Sequence, residues 1–281
     1  MTNTLTLGYS TCPNDTYIFH ALASGLIDTG QLAFDISLAD VETLNQQART
    51  GALDVSKLSF AAIGHLAESY ALLRSGAALG RGCGPLVVAR PNQRLEALAQ
   101  AKIAVPGLWT TACMLLALYL QHMPDVDAMP FENIMPAVAD GEYDVGLIIH
   151  ESRFTYPDYG LVSLLDLGQW WEAETGLPIP LGGIAIRRDI PSEVACAAER
   201  AIRDSLEYAG SHPGAADAYI ERHAQEMAPD VIKQHIDLYV NDFSLNLGRE
   251  GEAAIERLFQ MGRDRGILPA GRAPLFACVE G

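Results

Sequence analysis

A histidine that leaves a buried strand at its carboxyl end is well placed to move protons, and Val145-Gly146-Leu147-Ile148-Ile149-His150-Glu151 puts His150 there. Imidazole is the side chain best matched to proton transfer near neutral pH. Glu151 and Arg153 are near enough in sequence to tune it, although neighbours along a strand face opposite sides. A structural histidine is the competing reading. Thr110 and Thr111 follow Pro106-Gly107-Leu108-Trp109, where a strand gives way to a helix. Either hydroxyl can cap that helix, and the free N–H groups of its first turn suit a small carboxylate. Capping alone explains the pair equally well.

Two further segments carry polar groups into apolar surroundings. In Asp54-Val55-Ser56-Lys57-Leu58-Ser59-Phe60, strand alternation puts Lys57 and Ser59 on one face and Ser56 and Leu58 on the other. A lysine in such a strand must be solvated, paired or bound to a ligand. A carboxylate substrate is one partner for it, and a salt bridge to Asp54 is the structural alternative. Ser10-Thr11-Cys12-Pro13-Asn14-Asp15-Thr16 turns from the first strand into the first helix. It offers Thr11, Asn14 and Asp15 as cleft residues, against the plainer reading of a helix cap. Cys12 at a helix start invites a nucleophilic reading, but no His–acid partnership for it is visible in the sequence.

Other chemistries lack their motifs. His122, His212, His223 and His235 lie on polar or helical segments without ligand spacing, and His20 and His65 read as helix residues near a core. No HExxH, P-loop or dinucleotide glycine motif occurs, so neither a metal nor an organic cofactor is expected. The 281 residues carry 19 basic against 35 acidic side chains, a net charge of −16, with Lys57, Lys102 and Lys233 as the lysines. So acidic a surface repels phosphate backbones and anionic membranes, which removes nucleic acid and membrane from the expected partners. The cysteines, Cys12, Cys83, Cys113, Cys196 and Cys278, are odd in number and scattered, with no CxxC pair. They indicate neither a zinc site nor a disulfide framework, and free thiols fit a reducing compartment. The N-terminal residues lack a basic, apolar leader pattern, and runs such as Ala112–Leu120 are too short to span a bilayer. A cytoplasmic location is expected.

The elements that position these groups read as short apolar runs alternating with helical patterns, an α/β arrangement. Strands are predicted at Leu5–Tyr9, Phe34–Leu38, Pro85–Ala89, Lys102–Val105, Val145–Ile149, Leu161–Leu167 and Leu181–Ile186, with Val55–Ile63 a strand or strand–helix junction. Helices are predicted at Pro13–Ile27, Val41–Thr50, Leu95–Gln100, Thr110–Leu120, Glu193–Gly210, Ala215–His223 and Glu252–Arg265. Gly84–Arg90 and Gly182–Arg187 are short and β-like. Either they cross between two lobes, or they are ordinary strands of one sheet. The first option gives a hinged cleft, a favoured ligand site.

Taken together, Ser10–Thr16, Ser56–His65, Val105–Ala112, His150–Tyr156, Leu177–Asp189 and Asn241–Gly248 resemble the 1,4-dihydroxy-6-naphthoate synthases of the futalosine route to menaquinone. The resemblance runs to about Leu268. It implies a two-lobed, periplasmic-binding-protein-like fold of type II with two hinge strands. Residues 1–88 and 187–281 would form one lobe and 89–186 the inserted one. It implies a lyase that converts cyclic dehypoxanthine futalosine, a small-molecule carboxylate, to 1,4-dihydroxy-6-naphthoate. His150 would be the proton acceptor. Ser56, Lys57, Leu58 or Ser59, Thr110 and Thr111 would bind substrate. The alternatives are the chorismate dehydratase of the same pathway and a non-catalytic small-anion-binding protein; a precursor-sensing domain is a weaker third. A homodimer is open to this fold. The tail after Pro269 matches nothing familiar and reads as a disordered extension.

Overall fold

Leu5 and Leu7 turn inward from strand β1 (Asn3–Tyr9), and the turn that follows this strand forms part of the site. The computed structural model describes residues 3–224, 228–271 and 273–278. Helix α1 (Pro13–Ala23) returns the chain to β2 (Leu32–Leu38), parallel to β1. Helix α2 (Val41–Arg49), capped by the Asp40 carboxylate, leads to β3 (Val55–Ser59), parallel to β1 on its other edge. Helix α3 (Phe60–His65) continues β3 without a break. Strands β4 (Tyr70–Leu72) and β5 (Ala78–Gly80) follow.

The chain then builds a second sheet. It comprises β6 (Leu86–Ala89), β7 (Ile103–Val105), β8 (Val126–Ala128), β9 (Val145–Ile148) and β10 (Val162–Asp166), in the order β10-β6-β9-β7-β8. Between them lie α4 (Thr111–Leu120), α5 (Phe131–Ala139) and α6 (Ser152–Thr155), and α7 (Leu167–Thr175) follows β10. Strand β11 (Ile179–Arg187) completes the first sheet, in the order β2-β1-β3-β11-β4 with β5 also on β11. Helices α8 (Ser192–Ser211), α9 (Asp217–His223), α10 (Pro229–Tyr239), α11 (Asp242–Leu245) and α12 (Gly248–Asp264) end the ordered elements. The expected α/β class is therefore observed, with two sheets. Of the two segments weighed as crossings, one contributes β6 to the second sheet. The other lies inside β11, which pairs with β3, β4 and β5 in the first.

One apolar cluster joins the sheets. Leu58 and Leu72 of the first sheet share it with Val87, Val105 and Leu147 of the second and with Phe60 of α3. Helix α4, TACMLLALYL, is apolar around nearly its whole circumference, and Thr111 to Leu118 are all buried within it. A helix without a polar face has to be enclosed, and this one packs against α3, α7, α12 and β11. The return to the first sheet is equally close. A Cβ at Gly168, in the first turn of α7, would stand 1.8 Å from the Cys83 carbonyl oxygen, so only glycine admits that contact.

Several expectations are corrected. Helix α1 ends at Ala23, because Gly25 takes φ +66° and turns the chain out. Helix α5 was not anticipated: Pro136, which argues against a helix, sits inside it. Strands β4, β5 and β8 are three residues each, too short to show alternation. The tail after Pro269 is not a loose extension over its described residues. Leu72 N donates to Leu275 O and Ala277 N to Leu72 O, so the tail pairs with the open edge of β4. The Arg74 guanidinium lies over the Phe276 ring and donates to Cys278 O. Cys196 and Cys278 form a disulfide across 82 residues, which corrects the expectation of free thiols throughout; Cys12, Cys83 and Cys113 are free.

Candidate active site

The strands β1, β2 and β3 of the first sheet and β7, β8 and β9 of the second all end at one cavity of about 790 Å³. Ligands of open α/β sheets sit at this end of the strands. The N-terminal turns of α1, α2, α4 and α5 also open here. Each carries N–H groups ahead of its first intrahelical bond and the positive end of a helix dipole, so an anionic group is favoured in spite of the acidic surface.

The floor is a buried ionic network. Lys57 Nζ donates to Asp15 Oδ1 at 2.6 Å and to Gly76 O at 3.2 Å, and both partners of the ion pair are buried. An ammonium has three donors, so one is left for a further partner, and Lys57 is among the residues that line the cavity. Asp15 also accepts from the Ser10 hydroxyl at 2.6 Å and from Asn14 Nδ2 at 2.9 Å. The salt bridge weighed between Lys57 and Asp54 is absent among the described residues; Asp54 accepts from Thr6 and pairs with Arg187. Asn14 turns its oxygen to His235, whose Nε2 donates to it at 2.9 Å.

His150 stands on the rim of this network. It is a non-glycine residue at φ +60°, a left-handed conformation that turns the chain sharply after β9. Its Nδ1 lies 3.2 Å from the Cys12 sulfur, and its ring is close to those of Phe131, His235 and Tyr239. Burial pushes the imidazole below its ordinary pKa; the carboxylates of Glu151 and Asp15 oppose that shift and Lys57 adds to it. The ring is therefore neutral. Cys12 is pushed the other way, chiefly by burial and then by Glu151 and Asp15, which keeps it a thiol. The pair is thus a neutral thiol and a neutral imidazole, not a thiolate nucleophile.

Of the residues singled out in the sequence, Thr11, Asn14, Asp15, Lys57, Ser59, Thr110, Thr111 and His150 line the cavity. Ser56 and Leu58 do not: Ser56 faces Gly8 on the other side of β3, and Leu58 joins the core. Both threonine hydroxyls are engaged. Thr110 Oγ1 accepts from Cys113 N and donates to Gly107 O, and Thr111 Oγ1 donates to Leu181 O. The backbone N–H groups of Thr111 and Ala112 precede the first bond of α4, from Met114 N to Thr110 O, and are what this corner offers a carboxylate. Sequence reading sets His235 aside as a residue on a polar or helical segment without ligand spacing, and it does not single out Tyr239. They stand just over one helical turn apart on α10, far in sequence from His150, and no spacing signal links them to it. Among the described residues no cluster of histidine, cysteine, aspartate or glutamate could hold a metal.

Residues 5–264 match the model of a family described as Menaquinone biosynthesis. A protein of Thermus thermophilus named 1,4-dihydroxy-6-naphtoate synthase is 51% identical over 273 residues, covering 97% of this chain and 98% of that one. A Streptomyces coelicolor protein of the same name is 45% identical over 273 residues, covering 95% and 96%. A Candida albicans protein described as exhibiting the generic periplasmic binding protein structural fold superposes with a TM-score of 0.70. It is 13% identical and covers 96% of this chain and 92% of that one.

Proposed function

The chain belongs to the menaquinone biosynthesis family and has the periplasmic-binding-protein fold, and from that premise we propose that it is a lyase converting cyclic dehypoxanthine futalosine to 1,4-dihydroxy-6-naphthoate. The observation that carries this reading is a neutral His150 in the wall of a cavity on which four helix N-termini converge. The substrate carries a carboxylate and a ketone. Its carboxylate is held by the N–H groups at the start of α4, with the spare donor of Lys57 nearby. His150 then faces the carbon next to the carbonyl. In the tautomer that donates Nδ1–H to the Cys12 sulfur, a weak acceptor, Nε2 is the nitrogen that takes the proton. The enolate so formed collapses with carbon–carbon cleavage as the naphthalene becomes aromatic. General-base assistance of this kind contributes roughly 10²–10⁴ in rate.

Sheet membership supports an inserted lobe from about Gly84 to Pro178, so that the second limit falls before β11 and not at 186. No helix of the described residues is long and apolar enough to cross a membrane. We place the protein in the cytoplasm on the strength of its biosynthetic relatives; the Cys196–Cys278 disulfide withdraws the support expected from free thiols.

Purified protein is offered the cyclic futalosine derivative and chorismate in separate incubations, with products read by mass. Naphthoate from the first alone is expected. Enolpyruvylbenzoate from the second transfers the chain to the dehydratase reading. Tight binding of either compound without turnover makes it a small-anion-binding protein.

A further inference from the structure

Where His150 points depends on a turn that the sheet itself does not hold. Strand β9 pairs with β6 as far as Ile148, opposite Leu86, and Ile149 and His150 lie beyond that last pair. His150 then takes φ +60°, a conformation that a residue with a side chain adopts where its surroundings impose it. Arg153 supplies two such restraints. Its main-chain N–H donates to His150 O at 3.2 Å, which closes the turn. Its guanidinium Nη1 donates to Gly84 O at 2.9 Å and Nη2 to Gly82 O at 3.3 Å, and the Asp166 carboxylate holds Nη2 at 2.6 Å. Gly82 and Gly84, both at positive φ, lie in the segment that carries the chain from β5 of the first sheet to β6 of the second. Asp166 is itself fixed, because its other oxygen accepts from Gly168 N and Gln169 N at the start of α7. The charges that shift the His150 pKa are those of Glu151, Asp15 and Lys57. The part left to Arg153 is one of place and not of charge.

We propose that Arg153 is a positioning residue, which fastens the turn carrying His150 to the crossing between the two sheets and so fixes the imidazole against the substrate carbon. This rests on the reaction proposed above. Arg153 is not among the residues that line the cavity, so its effect on the reaction passes through the turn. A planar guanidinium presents donors in a rigid fork and can hold two carbonyls and a carboxylate at once. An ammonium on a flexible stem does not reproduce that geometry, although it keeps the charge beside Asp166. The ion pair with Asp166 is mostly buried, which keeps the fork from swinging out to water.

Arg153→Ala and Arg153→Lys are compared with wild type in turnover of the cyclic futalosine derivative, with activity referred to folded protein. Misplacing a reacting group by about 1 Å costs roughly 10²-fold, so kcat should fall about 10²-fold in Arg153→Ala with KM little changed. The acid limb of kcat/KM should keep its midpoint, since the charges around the ring are untouched. Arg153→Lys should lie closer to Arg153→Ala than to wild type. An alanine variant within a few-fold of wild type overturns the proposal. A displaced acid limb overturns it as well, because Arg153 would then act on the charge of the ring. Full activity in Arg153→Lys does the same, because it leaves only the ion pair. Should the alanine variant fail to fold, the lysine variant decides by the same criteria. If the wild type does not turn the compound over, the reaction itself is wrong, and the fastening is judged by ¹⁵N spectra of histidine-labelled protein. The signal that His150→Asn removes should shift in Arg153→Lys. A signal that stays in place overturns the role given to Arg153.

Discussion

A base must be unprotonated to act, and the burial that holds His150 below its ordinary pKa of 6.5 sets where it fails. Because the folded-state pKa is lowered, the active neutral form persists through pH 6.5 and is lost only as the pH drops further. The acid limb of kcat/KM should therefore have its midpoint below 6.5, and a midpoint above that value contradicts the burial argument. The groups facing the ring are Cys12, Glu151, Asp15, Lys57, His235 and Tyr239. Lys57→Met leaves Asp15 buried without its cation. Urea unfolding should show a loss of about 3–5 kcal/mol, the usual cost of breaking a buried pair at one end. His150, Lys57 and the turn around Asp15 were legible in the sequence because each sets an ionisable group against an apolar run. That Lys57 would choose Asp15 over Asp54 was not, since the pairing spans 42 residues and depends on how β1 and β3 align. His235 gave no local sign at all.

At the scale of elements, the site depends on helix starts more than on the side chains that begin them. Thr110 caps α4 and thereby aims its first N–H groups at the cavity. Thr110→Val should lower stability by about 1 kcal/mol in thermal unfolding and raise KM more than it lowers kcat. A fall in kcat alone would put the threonine elsewhere in the reaction. Most of the longer elements were readable from their patterns, although α7 and the eleven-residue α10, which carries His235 and Tyr239, were not predicted. Helix α4 announces its burial by having no polar face, and β11 by the unbroken run from Ile179 to Ile186. The misses have physical causes: three-residue strands are too short to alternate, and Pro136 disguises α5.

For the molecule as a whole, the α/β alternation indicated the class, while the joining of both sheets through one core emerged only from packing. That shared core ties together the two sheets whose strand ends line the cavity. The tail closes the first sheet and is tied by Cys196–Cys278. Cys196→Ser should lower stability under oxidising conditions by up to about 4–5 kcal/mol, the chain-entropy value for a loop of this length, and by almost nothing once the wild type is reduced. Equal melting of wild type and variant under oxidising conditions would show that the disulfide is not a support of the fold.

The proposed reaction depends first on the imidazole at position 150. Asparagine keeps the left-handed backbone there at little strain while removing the base. Turnover of the cyclic futalosine derivative by His150→Asn should drop about 10²–10⁴-fold with the fold and substrate binding retained. Turnover within a few-fold of wild type would contradict the claim that His150 takes the proton.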